Sequence, residues 1–266
     1  MNGAIGVFDS GIGGLTVLKE ILNILPKEDT IYLGDTARVP YGIKSADTVI
    51  RYSLENAEFL LSKKVKLLVV ACNTASSVGL SALEEKYSLP IIGVIEPGAG
   101  KAVKATKKNR IGIIGTERTI RSCAYVSSIN KIDPDIELIS KACPLFVPLV
   151  EEGWIDNDIA LLTAQRYLQV MKDADIDTLI LGCTHYPLLK DIIRKVLGDG
   201  VILVDSAEEI AIEVAKNLKA HNLLRKDNER AVHECYVTDS PELLVKGGIR
   251  FLQGMDLKDI KQATVA

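Results

Sequence analysis

The amino-acid sequence predicts an α/β protein of two similar lobes, each built on a mostly parallel sheet, related by a pseudo-twofold and facing each other across a cleft. Three observations carry this. Short apolar runs alternate with longer amphipathic stretches along most of the chain, as strand–helix–strand units do. The alternation restarts near residue 110. Two of the runs, Val69-Val70-Ala71-Cys72-Asn73-Thr74 and Leu181-Gly182-Cys183-Thr184-His185, stop at a cysteine followed at once by small polar residues. Continuous apolar runs of this kind suit strands buried on both faces of a parallel sheet. In such sheets ligands bind outside the carboxyl ends of the strands.

Taken in order, Ile5-Gly6-Val7-Phe8 is a strand that ends in Asp9-Ser10-Gly11-Ile12-Gly13-Gly14. A helix follows from about Thr16 to Leu25, closed by Pro26. A glycine-rich turn before a helix can face an anion, but the dinucleotide spacing is missing here and Asp9 would repel a phosphate. A plain tight turn explains it equally well. Thr30–Leu33 is the second strand and leads into the polar loop Gly34–Gly42, longer than a βα connection requires. It reads as a surface loop or as one that faces substrate through Tyr41 and Gly42. A helix over 47–62, the strand Lys66–Ala71 that carries Cys72, a helix over 77–87, the strand Pro90–Val94 and Glu96-Pro97-Gly98 opening another helix complete the first unit.

The second unit repeats this plan. Arg110–Thr116 echoes Ile5–Ser10, Ile136–Ile139 echoes Ile31–Leu33, Thr178–Leu181 with Cys183 echoes the Cys72 strand, and Val201–Val204 with Asp205 echoes Ile92–Ile95 with Glu96. From Gly6 to Gly112, Cys72 to Cys183 and Glu96 to Asp205 the spacings are 106, 111 and 109 residues. Near-constant spacing points to two Rossmann-like units and an old duplication. A helix over 207–220, a strand over 234–238, a helix start at Asp239-Ser240-Pro241-Glu242 and a short tail remain. That segment is too small to fold alone. The expected division is therefore 1–97 with 207–266 as a discontinuous first domain and 98–206 as the second.

Composition narrows the function. The chain has 266 residues, 47% hydrophobic and 25% charged, with 32 basic against 35 acidic side chains and a net charge of −3. This balance disfavours a nucleic-acid or anionic-membrane partner. The start of the chain lacks the pattern of a signal peptide, and no apolar run approaches the ~20 residues of a membrane span. A cytoplasmic protein is expected. Five cysteines, without a CxxC pair or a His/Cys cluster, argue against a disulfide framework and a structural zinc.

Among the candidates for chemistry, Cys123, Cys143 and Cys235 read as small packing residues. His221 and His233 read as surface residues. Cys72 and Cys183 differ, because each ends a strand before an expected helix, where the dipole lowers a thiol's pKa. Facing each other, they suit a reaction that needs a base on one face of a carbon and an acid on the other. Racemisation is such a reaction, and contact geometry would set the sulfurs roughly 7 Å apart. A thiolate needs help against a weakly acidic α-proton. His185, two residues beyond Cys183, is the natural proton carrier. Glu151 and Glu152 follow an apolar run and would otherwise read as a solvated helix start.

These motifs together resemble bacterial glutamate racemase, a cofactor-independent member of the aspartate/glutamate racemase superfamily. The resemblance rests on Asp9–Gly14, the Gly34–Gly42 loop, Ala71-Cys72-Asn73-Thr74, Glu96-Pro97-Gly98, Pro148–Gly153, Gly182–Pro187 and Asp205–Glu208, in the family's order. It implies Cys72 as the base toward D-glutamate and Cys183 toward L-glutamate, with Asp9, Glu151 and His185 assisting. It implies substrate binding by Asp9, Ser10, Tyr41, Gly42, Asn73, Thr74, Thr184 and His185. It also implies no pyridoxal phosphate, no metal, and a supply of D-glutamate for peptidoglycan. The rivals are an aspartate racemase of the same superfamily and a non-catalytic two-lobed binding protein, which would leave the paired thiols unexplained. Some members are activated by a cell-wall precursor and carry an N-terminal extension. None precedes the first strand here, so no such activation is expected. The sequence leaves oligomeric state, including a homodimer, open.

Overall fold

The computed structural model describes residues 3–227, 229–242, 248, 251 and 260–265. Among the described residues ten strands lie in two sheets, and every pairing is parallel. The first sheet holds β1 (Ile5–Asp9), β2 (Thr30–Gly34), β3 (Leu67–Val70), β4 (Ile91–Gly93), β9 (His233–Val237) and β10 (Ile260–Gln262), in the order β10-β9-β2-β1-β3-β4. The second holds β5 (Arg110–Gly115), β6 (Glu137–Ala142), β7 (Thr178–Gly182) and β8 (Ile202–Val204), in the order β6-β5-β7-β8. The repeat read from spacing is thus a repeat of topology. The block β2-β1-β3-β4 has the same order as β6-β5-β7-β8, strand for strand.

Helices cover the sheets: α1 (Leu15–Ile24), α2 (Ala46–Ser62), α3 (Asn73–Lys86), α4 (Ile95–Ala105), α5 (Glu117–Arg121), α6 (Ala124–Ile132), α7 (Phe146–Glu152), α8 (Asp158–Asp173), α9 (Lys190–Leu197) and α10 (Ala207–Ala220). Side chains of successive strand residues point to opposite faces, and the cores follow that period. Ile5, Val7, Leu67 and Val69 pack with α1 and α10, whereas Phe8, Leu68 and Val70 pack beneath α2 and α3. In the second sheet Ile111, Ile113 and Ile180 face α4 and α6, and Ile114, Leu179 and Leu181 face α8 and α9. Local chemistry sets the helix starts. Ser45 accepts a bond from the Thr48 N–H, Thr116 from Thr119 and Asn157 from Ala160. Each satisfies a donor the helix itself cannot.

Several boundaries differ from the sequence reading, for physical reasons. Helix α3 begins at Asn73 rather than near 77, because the Cys72 sulfur itself caps it. Helix α4 takes in Glu96-Pro97-Gly98, since a proline in a first turn forfeits no helical bond. Cys123 is not a packing residue. It is exposed, at φ 56°, where the chain turns from α5 into α6. Its left-handed backbone ends one helix and lets the next begin at Ala124. Strand β9 pairs with β2 in parallel, and the tail adds β10 beyond it, a three-residue strand that no pattern announced. The helix expected from Asp239 lies largely outside the described residues.

Candidate active site

The carboxyl ends of β1, β3 and β7 meet where the two sheets face each other. A pocket lies there, lined by residues of both lobes, among them Ser10, Tyr41, Gly42, Cys72, Asn73, Thr74, Glu151, Cys183, Thr184 and His185. Both sulfurs reach this one pocket, Cys72 from the end of β3 and Cys183 from the end of β7. Glycine makes the close approach between lobes. A Cβ at Gly13 would stand 2.3 Å from the Thr184 hydroxyl and 2.6 Å from His185 Nδ1. One at Gly42 would stand 2.6 Å from the Thr116 Cβ. Both turns therefore need a residue without a side chain.

The surroundings of the two sulfurs differ. Cys72 is buried. Its thiol donates to Ser10 Oγ at 3.5 Å and its sulfur accepts from the Ala75 N–H at 3.5 Å. Burial, reinforced by the negative charge of Asp9, pushes this thiol up to about 12. This corrects the expectation that a helix start lowers its pKa: lost hydration outweighs the backbone dipole. Cys183 is followed not by a helix but by a 3-10 turn, Tyr186–Leu189, before α9 starts. Its sulfur lies 3.8 Å from His185 Nδ1. The other ring nitrogen of His185 lies 3.1 Å from Glu151 Oε1. Burial alone would depress the imidazole, but its bonds to Cys183 and Glu151 prevail and raise it to about 10. At neutral pH His185 is a cation set beside Cys183.

Asp9 is fully buried under the glycine turn, with Oδ2 accepting from Gly11 N–H at 3.0 Å and Oδ1 from the Thr184 hydroxyl at 3.5 Å. Burial raises its pKa against the opposing charge of His185. It lies below the pocket wall rather than in it. Asn73 is held by the Tyr125 hydroxyl, which donates to its Oδ1 at 2.8 Å, and Thr74 sits 2.9 Å from Thr116 Oγ1. Thr116, Val39, Pro40 and Val147 also line the pocket and were not singled out beforehand. Thr116 had a signal: it stands where Ser10 stands in the first unit, one repeat on. The apolar three had none.

The Asp/Glu/Hydantoin racemase family model matches residues 5–214. The chain belongs to this family. A glutamate racemase of Geobacter metallireducens is 57% identical over 262 residues, 98% of this chain and 97% of that protein. Among solved structures, a glutamate racemase of Francisella tularensis in complex with D-glutamate superposes with a TM-score of 0.93 at 39% identity, over 99% of this chain and 98% of that one. A glutamate racemase of Bacillus anthracis superposes with a TM-score of 0.94 at 42% identity, with the same coverage. The pocket that these comparisons bear on holds two cysteines, one at the end of a strand in each sheet. No helix among the described residues is long and apolar enough to cross a membrane.

Proposed function

We propose that this chain is a glutamate racemase that interconverts L- and D-glutamate through two thiols. The carrying observation is that Cys72 and Cys183 end equivalent strands of the two repeated sheets and line one pocket. In the L-to-D direction the Cys183 thiolate, beside the His185 cation, takes the α-proton and becomes a thiol. The Cys72 thiol, kept protonated by burial and by Asp9, gives its proton to the opposite face and becomes a thiolate. Charge passes from one sulfur to the other, and solvent exchange resets both. The reverse direction begins at Cys72, with Asp9 as its neighbour. Glu151 holds the His185 ring in place.

Ser10, Asn73, Thr74 and Thr184 supply hydroxyl and amide groups for the polar ends of the substrate, and Tyr41 with Gly42 closes the far wall. The family resemblance supports a supply of D-glutamate to peptidoglycan, and hence a cytoplasmic location. The lobe division 1–97 with 207–266, and 98–206, belongs to the same reading. Purified protein mixed with L- or D-glutamate should bring the optical rotation to zero from either side, and aspartate under the same conditions should change far more slowly. Faster turnover of aspartate would overturn the assignment of substrate.

A further inference from the structure

Tyr41 was expected to serve the substrate directly, but its hydroxyl is turned elsewhere. It donates to Asp35 Oδ2 and accepts from Asn56 Nδ2 at 3.0 Å. Neither Asp35 nor Asn56 lines the pocket, and both are completely buried. Arg38 closes the circuit. Its Nε donates to Asp35 Oδ2 at 2.6 Å and its Nη2 to Asn56 Oδ1 at 3.1 Å, while Nη1 pairs with Glu55. The other Asp35 oxygen accepts from Thr238 Oγ1 at 2.9 Å. Asp35, Arg38, Asn56 and Tyr41 thus form a closed hydrogen-bonded ring behind the pocket wall.

The aliphatic side chains of the loop give it little hold: Val39 is 39% exposed and Ile43 71%. Its apolar anchor is the buried Tyr41 ring, packed in the core beneath α2 and α3, and the partners of the hydroxyl fix how that ring sits. A buried polar network with every member satisfied is rigid, and this one is fixed to α2 through Asn56 and Glu55. On the other side the loop abuts the second lobe: Gly42 faces Thr116 without room for a methyl group, and Arg118 Nε donates to the Lys44 carbonyl at 2.8 Å.

We propose that Asp35, Arg38 and Asn56 are positioning residues of the racemase site, acting through the Tyr41 hydroxyl to hold the Tyr41–Gly42 wall against Thr116. The ring sets the place of a wall that substrate meets; the phenol is its pin and touches no substrate. This deepens the proposed function and rests on it for the substrate, though not for the wall.

Tyr41→Phe removes one oxygen from the ring, and Asp35→Asn keeps its shape and removes the charge. Each should raise KM for both glutamate enantiomers by about tenfold, the weight of one well-made buried hydrogen bond, and leave kcat within about threefold. The double variant should be no worse than the more damaged single one, because both act through one network. Amide hydrogen exchange over residues 36–44 should quicken in both variants while that of β1, β3 and β7 stays as in the parent. Multiplying effects on KM, a fall confined to kcat, or unchanged exchange of the loop would each overturn the proposal. If the parent protein racemises no glutamate, the functional reading fails by itself, and the exchange of the loop still decides whether the ring positions the wall.

Discussion

At the scale of single residues, the two thiols are chemically unequal although their strands are equivalent. Both are buried, but Cys72 has a carboxyl group near it and Cys183 lies beside an imidazole. Removing either sulfur should stop turnover in both directions, since each direction uses one base and one acid. Cys72→Ala and Cys183→Ala should each lower kcat by at least about 10³-fold with the fold intact, to be checked by polarimetry and circular dichroism. A folded variant that racemises at close to the parental rate would remove the two-thiol mechanism. The helpers should separate by direction. His185→Asn should lower kcat from L-glutamate more than from D-glutamate, and Asp9→Asn the reverse. The two kcat/KM values must fall together, because the equilibrium constant is one. Equal kcat losses in both directions for both variants would show the pairings to be wrong.

His185 also ties stability to pH. Its folded pKa, about 10, lies above the ordinary histidine value of 6.5, so the folded state holds a proton that the unfolded chain releases. The stabilisation is fully present below pH ~6.5 and is lost as pH rises through about 10. Chemical denaturation should find the parent more stable than His185→Asn at neutral pH, with the gap narrowing toward pH 10. A gap that widens on alkalinisation would contradict a cationic His185.

At the scale of elements, much of the molecule was legible, because strand and helix periods in a two-faced parallel sheet are strong signals. The bounds of α10 match the expected 207–220, and both cysteine strands stand where their apolar runs place them. What escaped depends on residues far apart in the chain. Nothing near Gly13 announces Thr184 and His185, and nothing near Tyr41 announces Asn56. The Gly34–Gly42 stretch showed polar residues in a long loop, yet which of them face the pocket is set by α2. Cys123 escaped because a single left-handed residue can break a helix without a proline or glycine. The glycine turns lead to a further expectation. Gly13→Ala should cost about 1–3 kcal/mol of overpacking, felt where the lobes meet. Activity should fall more than tenfold for a loss of only a few degrees in Tm, as thermal melts and initial rates would show. Parental activity in this variant would mean the turn has slack that the distances deny.

For the molecule as a whole, the end remote from the pocket carries its own ties. Lys66 and Glu28 form an ion pair at 2.5 Å with both side chains 4% exposed, and Glu28 also accepts from the Arg225 N–H at 2.8 Å. Arg225 in turn pairs with Asp29. This cluster clasps the chain after α10 to the loop before β2, and so supports β9 beside β2. Glu28→Ala would leave the Lys66 charge buried without its partner, which costs about 3–5 kcal/mol. Urea unfolding should show a loss of that size, with kcat near the parental value at 25 °C. A loss below about 1 kcal/mol would mean that Lys66 finds water or another acid instead.

The sheet order has one more consequence, for solubility. An open strand edge is a template for another chain, and proteins blunt such edges with short strands and charges. Strands β4, β8 and β10 end their sheets with only three residues each, and β10 carries Lys261. The fourth edge, β6, is six residues long, and no strand among the described residues covers its outer side. It carries Glu137 and Lys141, both exposed, in a stretch otherwise made of Leu138, Ile139, Ser140 and Ala142. In the first unit the corresponding edge, that of β2, is occupied by β9 and needs no such guard. The duplicated halves therefore face aggregation differently: one has its flank filled by the tail of its own chain, and the other is defended by two charges. Glu137→Val with Lys141→Val should leave the pocket chemistry alone and turn a monodisperse preparation into one that forms thioflavin-binding aggregates on standing.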